Sequence, residues 1–313
     1  MITPPENWTV YRDHVLSKIE AYCNAGLWEF DPNYAALWLA NFAECEEDEY
    51  LAVRILDKII YRSNEMLLST YHRYVATKLR GHLKSCSAIA SQDLDSWMRF
   101  LSQGSGPYRN DFNTRFVAVT RKYDSGHSGS AIIRKLNSNL IATNLTKTLD
   151  QIKDNESISH LVLIDDVLGS GKQFCDYAME VNLESLLQTK TIIYSPLIAL
   201  DTGVSNLLEK YPSLIVDPLE TLDPRDAFFV SDDDDDEYYF RNDKTNSIEA
   251  FKIHYLALMK KHSPRFIEPL GWESAALTLA FEWGCPNQTL PICYLDSSIK
   301  VESGWRQLFS RRS

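Results

Sequence analysis

Cysteine is sparse and scattered in this 313-residue chain: six residues, at 23, 45, 86, 175, 285 and 293, form no CxxC pair, and no histidine is spaced to complete a zinc site. A zinc module is excluded, and the thiols read as reduced packing residues. Long apolar runs are also missing, and none approaches the ~18 residues that a membrane span requires. Basic residues are in deficit, with 32 Lys and Arg against 43 Asp and Glu and a net charge of -11. That balance disfavours direct nucleic-acid binding by phosphate neutralisation, while leaving room for a local basic patch. Met1 to Thr9 is polar and proline-bearing with no apolar leader core, so a cytoplasmic protein is expected. No internal repeat is found, and the one biased tract is Asp232 to Asp236 with Glu237. Such a self-repelling block reads as a solvated loop. It lacks the alternating oxygens, turn glycine and distal glutamate of a calcium loop.

What is present is ordinary globular material, 44% hydrophobic and 24% charged, enough for one sizeable core and a smaller one. Apolar residues recur at helical spacing at Val15, Ile19 and Tyr22, then Leu51, Ile55 and Ile59, then Leu67, Tyr71 and Val75. Residues 1–100 are therefore a helical N-terminal region, in which Glu44 to Glu49 is a solvated acidic turn feeding a helix N-terminus. From Arg115 onward, short apolar runs alternate with small polar loops and helical stretches, the texture of βα units in a parallel sheet. Strands are expected at Phe116 to Thr120, Leu161 to Asp165 and Thr191 to Leu200. Helices are expected at Ala131 to Leu136, Lys172 to Leu187 and Val204 to Tyr211, with another near Thr146 to Lys153. A helix capped by Ser247 or Asn246 follows and runs to Lys261, then a strand at Leu277, Leu279 and Phe281 that turns at Gly284 to Gln288 and continues into Leu290 to Leu295. Residues 101–313 thus form an α/β domain with a C-terminal extension at 264–313.

The segment with chemical content runs Leu161-Val162-Leu163-Ile164-Asp165-Asp166-Val167-Leu168-Gly169-Ser170-Gly171-Lys172-Gln173. It reads as a buried strand ending in two carboxylates, then a glycine-bearing loop opening a helix. Ligands of parallel α/β sheets bind beyond the carboxyl ends of strands. The loop can aim several backbone N–H groups at one point, where the helix dipole adds positive charge. A phosphate is the natural ligand. An ATP-binding Walker A loop is ruled out at both ends, because Asp166 stands where its first glycine is needed and Gln173 where its Ser or Thr would hold Mg²⁺. The plain alternative is a parallel strand whose two aspartates cap the next helix.

The same segment resembles the phosphoribosyl diphosphate motif of type I phosphoribosyltransferases: four apolar residues, two acidic, two apolar and a short hydroxyl/glycine loop. The resemblance implies that Asp165 and Asp166 engage the ribose 2′- and 3′-hydroxyls, while the apolar Val167 and Leu168 and the loop Gly169, Ser170, Gly171, Lys172 and Gln173 complete the substrate-binding segment, the loop gripping the 5′-phosphate. Ionised carboxylates suit the first task as acceptors, and backbone amides suit the second as donors without bulk. Two positions depart from the motif. Gly169 replaces the usual small hydroxyl residue or alanine, and Gln173 replaces a Thr or Ser that donates to the phosphate. Upstream, Arg121-Lys122-Tyr123-Asp124-Ser125-Gly126-His127-Ser128-Gly129-Ser130 has the place and texture of the family's pyrophosphate loop. In that reading Ser128 and Gly129 open the next helix, and Arg121, Lys122 or Arg134 offers a cation to the leaving group. Surface solubility explains the basic pair equally well.

The flanks Trp38 to Ser63 and Gly284 to Arg311 resemble those of a divergent phosphoribosyltransferase-like family assigned to bacterial conflict systems as an effector. Pro286, Asn287, Thr289 and Pro291 form a turn that either hoods the site, with Asn287 reading a base edge, or is a structural strand connection. The expected fold is a parallel-sheet type I phosphoribosyltransferase-like core with a helical N-terminal region and a hood-like C-terminal extension. The expected activity is transfer of ribose-phosphate from phosphoribosyl diphosphate to a nitrogenous acceptor, with Mg²⁺ carried by substrate oxygens and catalysis by positioning. A non-catalytic nucleotide sensor with a protein partner from a defence system, or a nucleotide glycosidic-bond hydrolase, are the alternatives on the same pocket.

Overall fold

A computed structural model of the chain describes residues 2–85, 93–103, 113–120, 128–231, 239–265, 267–296 and 304–311. It divides into two compact units, Glu65–Leu222 and the pairing of Met1–Asn64 with Asp223–Ser313. Among the described residues no helix is long and apolar enough to cross a membrane.

The unit formed by Glu65–Leu222 is built on a parallel sheet. Its strands are β1 (Thr114–Ala118), β2 (His160–Leu168), β3 (Thr191–Leu200), β4 (Ile215–Val216) and β5 (Glu220–Leu222). The order is β1-β2-β3-β4, with β5 pairing the later half of β3, and every pairing is parallel. This is the α/β architecture that the alternating texture implies. The continuous apolar runs of β2 and β3 are buried on both faces, as parallel strands must be when helices cover each side. On one face Leu161, Leu163, Ile192 and Tyr194 meet Phe174 and Tyr177 of α5 (Lys172–Glu180) and Leu207 of α7 (Asp201–Lys210). On the other, Ser195 receives Tyr74 of α1 (Asn64–Tyr74). Helix α1 runs on through a π-helical turn, Val75–Leu79, into α2 (Arg80–Ser85). Trp97 of α3 (Leu94–Gln103) donates its indole N–H to the Val75 carbonyl at 2.8 Å, which satisfies an oxygen at that turn.

After β1 the chain passes through α4 (Ser128–Asn139) to the outer edge of the sheet, where Thr146 makes a parallel bridge to Phe116. It then crosses back to β2, and the later connections run the opposite way. The order reverses between β1 and β2, which makes their carboxyl ends the switch point where open α/β sheets bind ligands.

In the unit of Met1–Asn64 with Asp223–Ser313, helices Trp8–Asn24, Asn33–Leu39, Glu46–Asp57 and Ile248–His262 surround a core rich in aromatic residues, among them Trp38, Tyr50, Phe240 and Phe251. Ser247 caps the last of these helices by accepting from the Ala250 amide at 3.1 Å, as the sequence indicates. Ile60–Arg62 pairs in parallel with Leu279–Phe281. The two flanking segments meet here. Trp38 donates to the Ile292 carbonyl at 3.2 Å, and Asn41 exchanges hydrogen bonds with the Arg306 backbone at 2.8 and 3.0 Å.

Several local expectations change. The expected strand over Leu290 to Leu295 is a 3₁₀ turn, Pro291–Cys293, because Pro291 fixes a turn-like φ and has no amide to donate. The helix expected over Lys172 to Leu187 is two helices, α5 and α6 (Leu183–Thr189), separated at Asn182, whose left-handed φ of 52° ends the first. Only a 3₁₀ turn, Leu149–Gln151, forms near Thr146 to Lys153. In the acidic turn, Asp48 is not solvated: it is buried and accepts from His254 Nε2 at 2.9 Å and Lys261 Nζ at 3.2 Å. Burial pushes its carboxyl up, but those two donors and their charge outweigh the burial and leave it below the usual range. Asp232 to Glu237 lie outside the described residues.

Candidate functional site

The acidic pair does not stand at an exposed strand end. Strand β2 continues through it to Leu168, with Asp165 opposite Pro196, Val167 opposite Ile198 and Leu168 opposite Ala199 on β3. Asp165 is 4% exposed and Asp166 2%. Buried carboxylates need donors. Asp165 accepts the Asp166 amide at 2.9 Å and the Tyr194 hydroxyl at 3.0 Å, and Asp166 accepts the Val167 amide at 2.8 Å. Tyr194 is fully enclosed and lies against Phe174, ring centres 4.1 Å apart. Burial and then the Asp165 charge push its hydroxyl far above the ordinary tyrosine range, so it stays protonated as a donor. On the other face, the Tyr71 hydroxyl reaches the Asp165 and Ser195 carbonyls, each at 3.4 Å, and Tyr74 shares a short hydrogen bond with the Ser195 hydroxyl.

The loop after the pair is held from behind by α7. Gly169 is buried against Gly203, so closely that a Cβ on Gly203 would stand 1.9 Å from the Gly169 carbonyl oxygen. Asn206, one turn along, donates its amide to the Ser170 carbonyl at 2.9 Å. Gly171 sits at φ +91° as the N-cap residue of α5, a conformation that favours glycine. The Ser170 hydroxyl accepts the Lys172 amide at 3.3 Å. Lys172 and Gln173 are the first two residues of α5 and both side chains are exposed, with Lys172 Nζ 3.4 Å from Asp176. Early N–H groups of a helix have no partner within it, so the start of α5 offers donors to an anion beyond the sheet edge.

Asp165, Asp166 and the residues from Val167 to Gln173 are therefore brought together on one strand–loop–helix unit. Of the upstream candidates, Arg121, Lys122 and His127 lie outside the described residues, and Ser128 and Gly129 are described only as the first residues of α4. Asn287 belongs to the other unit, exposed on a turn whose backbone carbonyl accepts the Trp272 amide at 2.7 Å. Sequence reasoning passed over Tyr194, Gly203 and Asn206. Gly203 falls just before the helix expected from Val204, whereas α7 begins at Asp201 and includes it. Among the described residues, no group of three or more His, Cys, Asp or Glu side chains is placed to hold a metal ion.

The PRTase-CE family model matches residues 36–311. The chain belongs to the PRTase-CE family. The match takes in both flanks as well as the Asp-Asp loop, and with the parallel sheet it establishes a phosphoribosyltransferase-like protein. No curated protein matches the chain. Among solved structures, the AQ2163 protein from Aquifex aeolicus aligns at 14% identity and a TM-score of 0.24, over 44% of this chain and 61% of that one. The aligned portion thus spans less than two thirds of that protein.

Proposed function

We propose that this PRTase-CE protein binds phosphoribosyl diphosphate or a related nucleotide at the β2–α5 loop and transfers its ribose-phosphate to a nitrogenous acceptor, releasing pyrophosphate, as an effector of a bacterial defence system. One observation supports this above the others: a strand carrying two carboxylates runs through a tight glycine loop into a helix N-terminus at the sheet's switch point. Asp165 and Asp166 supply acceptors for ribose hydroxyls, and the Gly169–Gln173 backbone supplies donors for the 5′-phosphate. Mg²⁺ would be carried by diphosphate oxygens and water, with no protein cage, and would supply charge neutralisation for the leaving pyrophosphate. The reaction breaks the C1′–O bond to pyrophosphate and forms a C1′–N bond to the acceptor. Its acceleration comes from holding the two reactants in line.

The near-complete burial of both carboxylates supports a second reading, a non-catalytic nucleotide sensor that signals to a protein partner. In that case ligand binding at the loop moves the strand end, and no bond is broken. A glycosidic-bond hydrolase would use the same pocket with water as acceptor. The test is to incubate the protein with Mg²⁺ and phosphoribosyl diphosphate, then with nucleotides, following pyrophosphate and free base. Pyrophosphate release dependent on an added acceptor supports transfer. Binding with no turnover in any mixture refutes transfer and favours the sensor.

A further inference from the structure

In a chain of net charge -11, the stretch from His72 to Lys84 carries Arg73, Lys78, Arg80 and Lys84, with His72 and His82, and no acidic residue; residues 86–92, which follow in the sequence, carry no charge. His72 to Lys84 make up the end of α1, the π-helical turn and most of α2. Tyr71, Tyr74, Val75, Leu79 and Leu83 bury one side of this rod, so the basic residues share the other. His72, Arg73 and Lys78 are exposed, and Arg80, His82 and Lys84 are half-buried. Carboxylates beside the rod are engaged: Asp217 by Lys78 Nζ at 3.5 Å and His82 Nε2 at 2.9 Å, and Asp95 on α3 by Arg99. Among the described residues His72, Arg73 and Lys84 enter no ion pair. The acid excess is a sum over the whole chain, and at physiological salt a charge is screened beyond about 8 Å. A ligand on this face therefore meets the local positive field.

What the face lacks narrows the partner. None of the large apolar side chains left exposed among the described residues lies between Asn64 and Ser85. A protein partner needs apolar or aromatic anchors at the centre of its interface, and a membrane surface needs an apolar face to insert. A single nucleic-acid strand is held largely by aromatic rings that stack its bases. The phosphate backbone of a duplex asks for cations alone. From His72 to Lys84 the rod advances about 18 Å at the rise of a helix, long enough to follow several phosphates rather than one.

We propose that the His72–Lys84 face binds the phosphate backbone of duplex nucleic acid without reading its sequence. Arg73 and Lys84 make the principal contacts, and Lys78, whose pairing with Asp217 is exposed and long, adds a third. The inference stands independently of the ribose-phosphate reading. The experiment is fluorescence anisotropy of the full chain with a short labelled DNA duplex lacking 5′-phosphates, with its single strand, and with polyglutamate of matched charge. The duplex is expected to bind at low salt, and two or three neutralised phosphates predict a loss of roughly 10–40-fold in affinity between about 50 and about 200 mM salt. Arg73→Glu with Lys84→Glu is expected to weaken binding at least tenfold and to flatten that salt dependence. Lys244→Glu with Lys260→Glu makes the same charge change at exposed residues of the other unit and is expected to leave binding within about twofold. Should the first pair fail to fold, Arg73→Gln with Lys84→Gln carries the test. Absent duplex binding, equal loss in the control pair, or binding of the single strand or of polyglutamate as tightly as the duplex overturns the proposal. So does displacement of the duplex by saturating phosphoribosyl diphosphate, which would place it at the phosphate loop. Failure of the ribose-phosphate reading would appear separately, as absent phosphoribosyl diphosphate binding whatever the duplex does.

Discussion

Gly203→Ala is the sharpest test of how the Gly169–Gly171 loop is held. A Cβ at this position would stand 1.9 Å from the Gly169 carbonyl oxygen, 3.0 Å from its carbon and 3.1 Å from Leu168 Cγ. The first atom belongs to backbone, so it cannot swing aside. Reaching an ordinary carbon–oxygen contact requires α7 and the loop to part by roughly 1.5 Å. Overpacking of this kind costs about 1–3 kcal/mol, against which alanine returns about 0.5–1 kcal/mol of helix propensity. The net loss is about 1–2 kcal/mol, or a fall of roughly 2–8 °C in melting temperature. A loop displaced on this scale should also bind phosphoribosyl diphosphate about 10–100-fold more weakly. Differential scanning fluorimetry and calorimetric titration read the two effects. Gly81→Ala is the control, because a Cβ there meets nothing within 4 Å and the change should stabilise its helix. If Gly203→Ala melts with the parent and binds the ligand equally well, the loop does not depend on α7 and the argument fails.

Asp165→Asn with Asp166→Asn is expected to abolish binding of phosphoribosyl diphosphate in a titration, and unchanged binding would remove the ribose assignment. Because both carboxylates are buried and accept backbone amides, the double variant should also lose about 1–3 kcal/mol of stability in a denaturant melt. Gln173→Thr places a short donor in the first turn of α5 and is expected to tighten phosphate binding by about 1 kcal/mol; weaker binding would show a loop serving a different ligand. Asp48→Asn should destabilise the unit that contains it by about 2 kcal/mol near neutral pH. The Asp48 carboxyl is depressed in the folded chain, so its contribution is present above the ordinary carboxylate pKa of 3.8 and is lost as pH falls below it. Parent and variant melts should therefore converge in acid, and a constant gap down to the lowest pH would refute the assignment.

The core strands were legible because burial on both faces writes itself into consecutive residues. Thr191–Leu200 is a strand over the full expected span, and the Leu161 run is one as well. Caps were legible where side-chain chemistry is local, as at Ser247. Breaks inside apolar stretches were harder to see. Asn182 ends α5 by taking a left-handed conformation that asparagine tolerates but does not require, so spacing alone ran the helix onward to Leu187. The pairing of Ile60–Arg62 with Leu279–Phe281 links distant stretches, and no local window carries that information.

At the candidate site, the same distinction separates what sequence supplied from what it did not. The motif named the two carboxylates and the loop, yet gave no sign that β2 continues to Leu168, because Val167 and Leu168 read equally well as a loop entry. Pairing with β3 settles the question, since Ile198 and Ala199 give those residues partners. Asp165 falls on the same face as Leu161 and Leu163, and the Tyr194 phenol, diagonal to it on β3, becomes its donor. A ribose hydroxyl approaching that oxygen of Asp165 competes with the Tyr194 hydroxyl. Tyr194→Phe is thus expected to separate the two readings. It removes the phenol donor from Asp165, costing about 1.5–3 kcal/mol of folding stability for a hydrogen bond to a charged group. If a sugar hydroxyl replaces the phenol on binding, the variant recovers that cost in the complex, and phosphoribosyl diphosphate binds more tightly than to the parent by about 10–150-fold. If Asp165 is only a strut within the strand pair, the variant melts lower and binds the ligand no better. Melting curves with and without saturating ligand decide between them, because only the first case closes the stability gap when ligand is added.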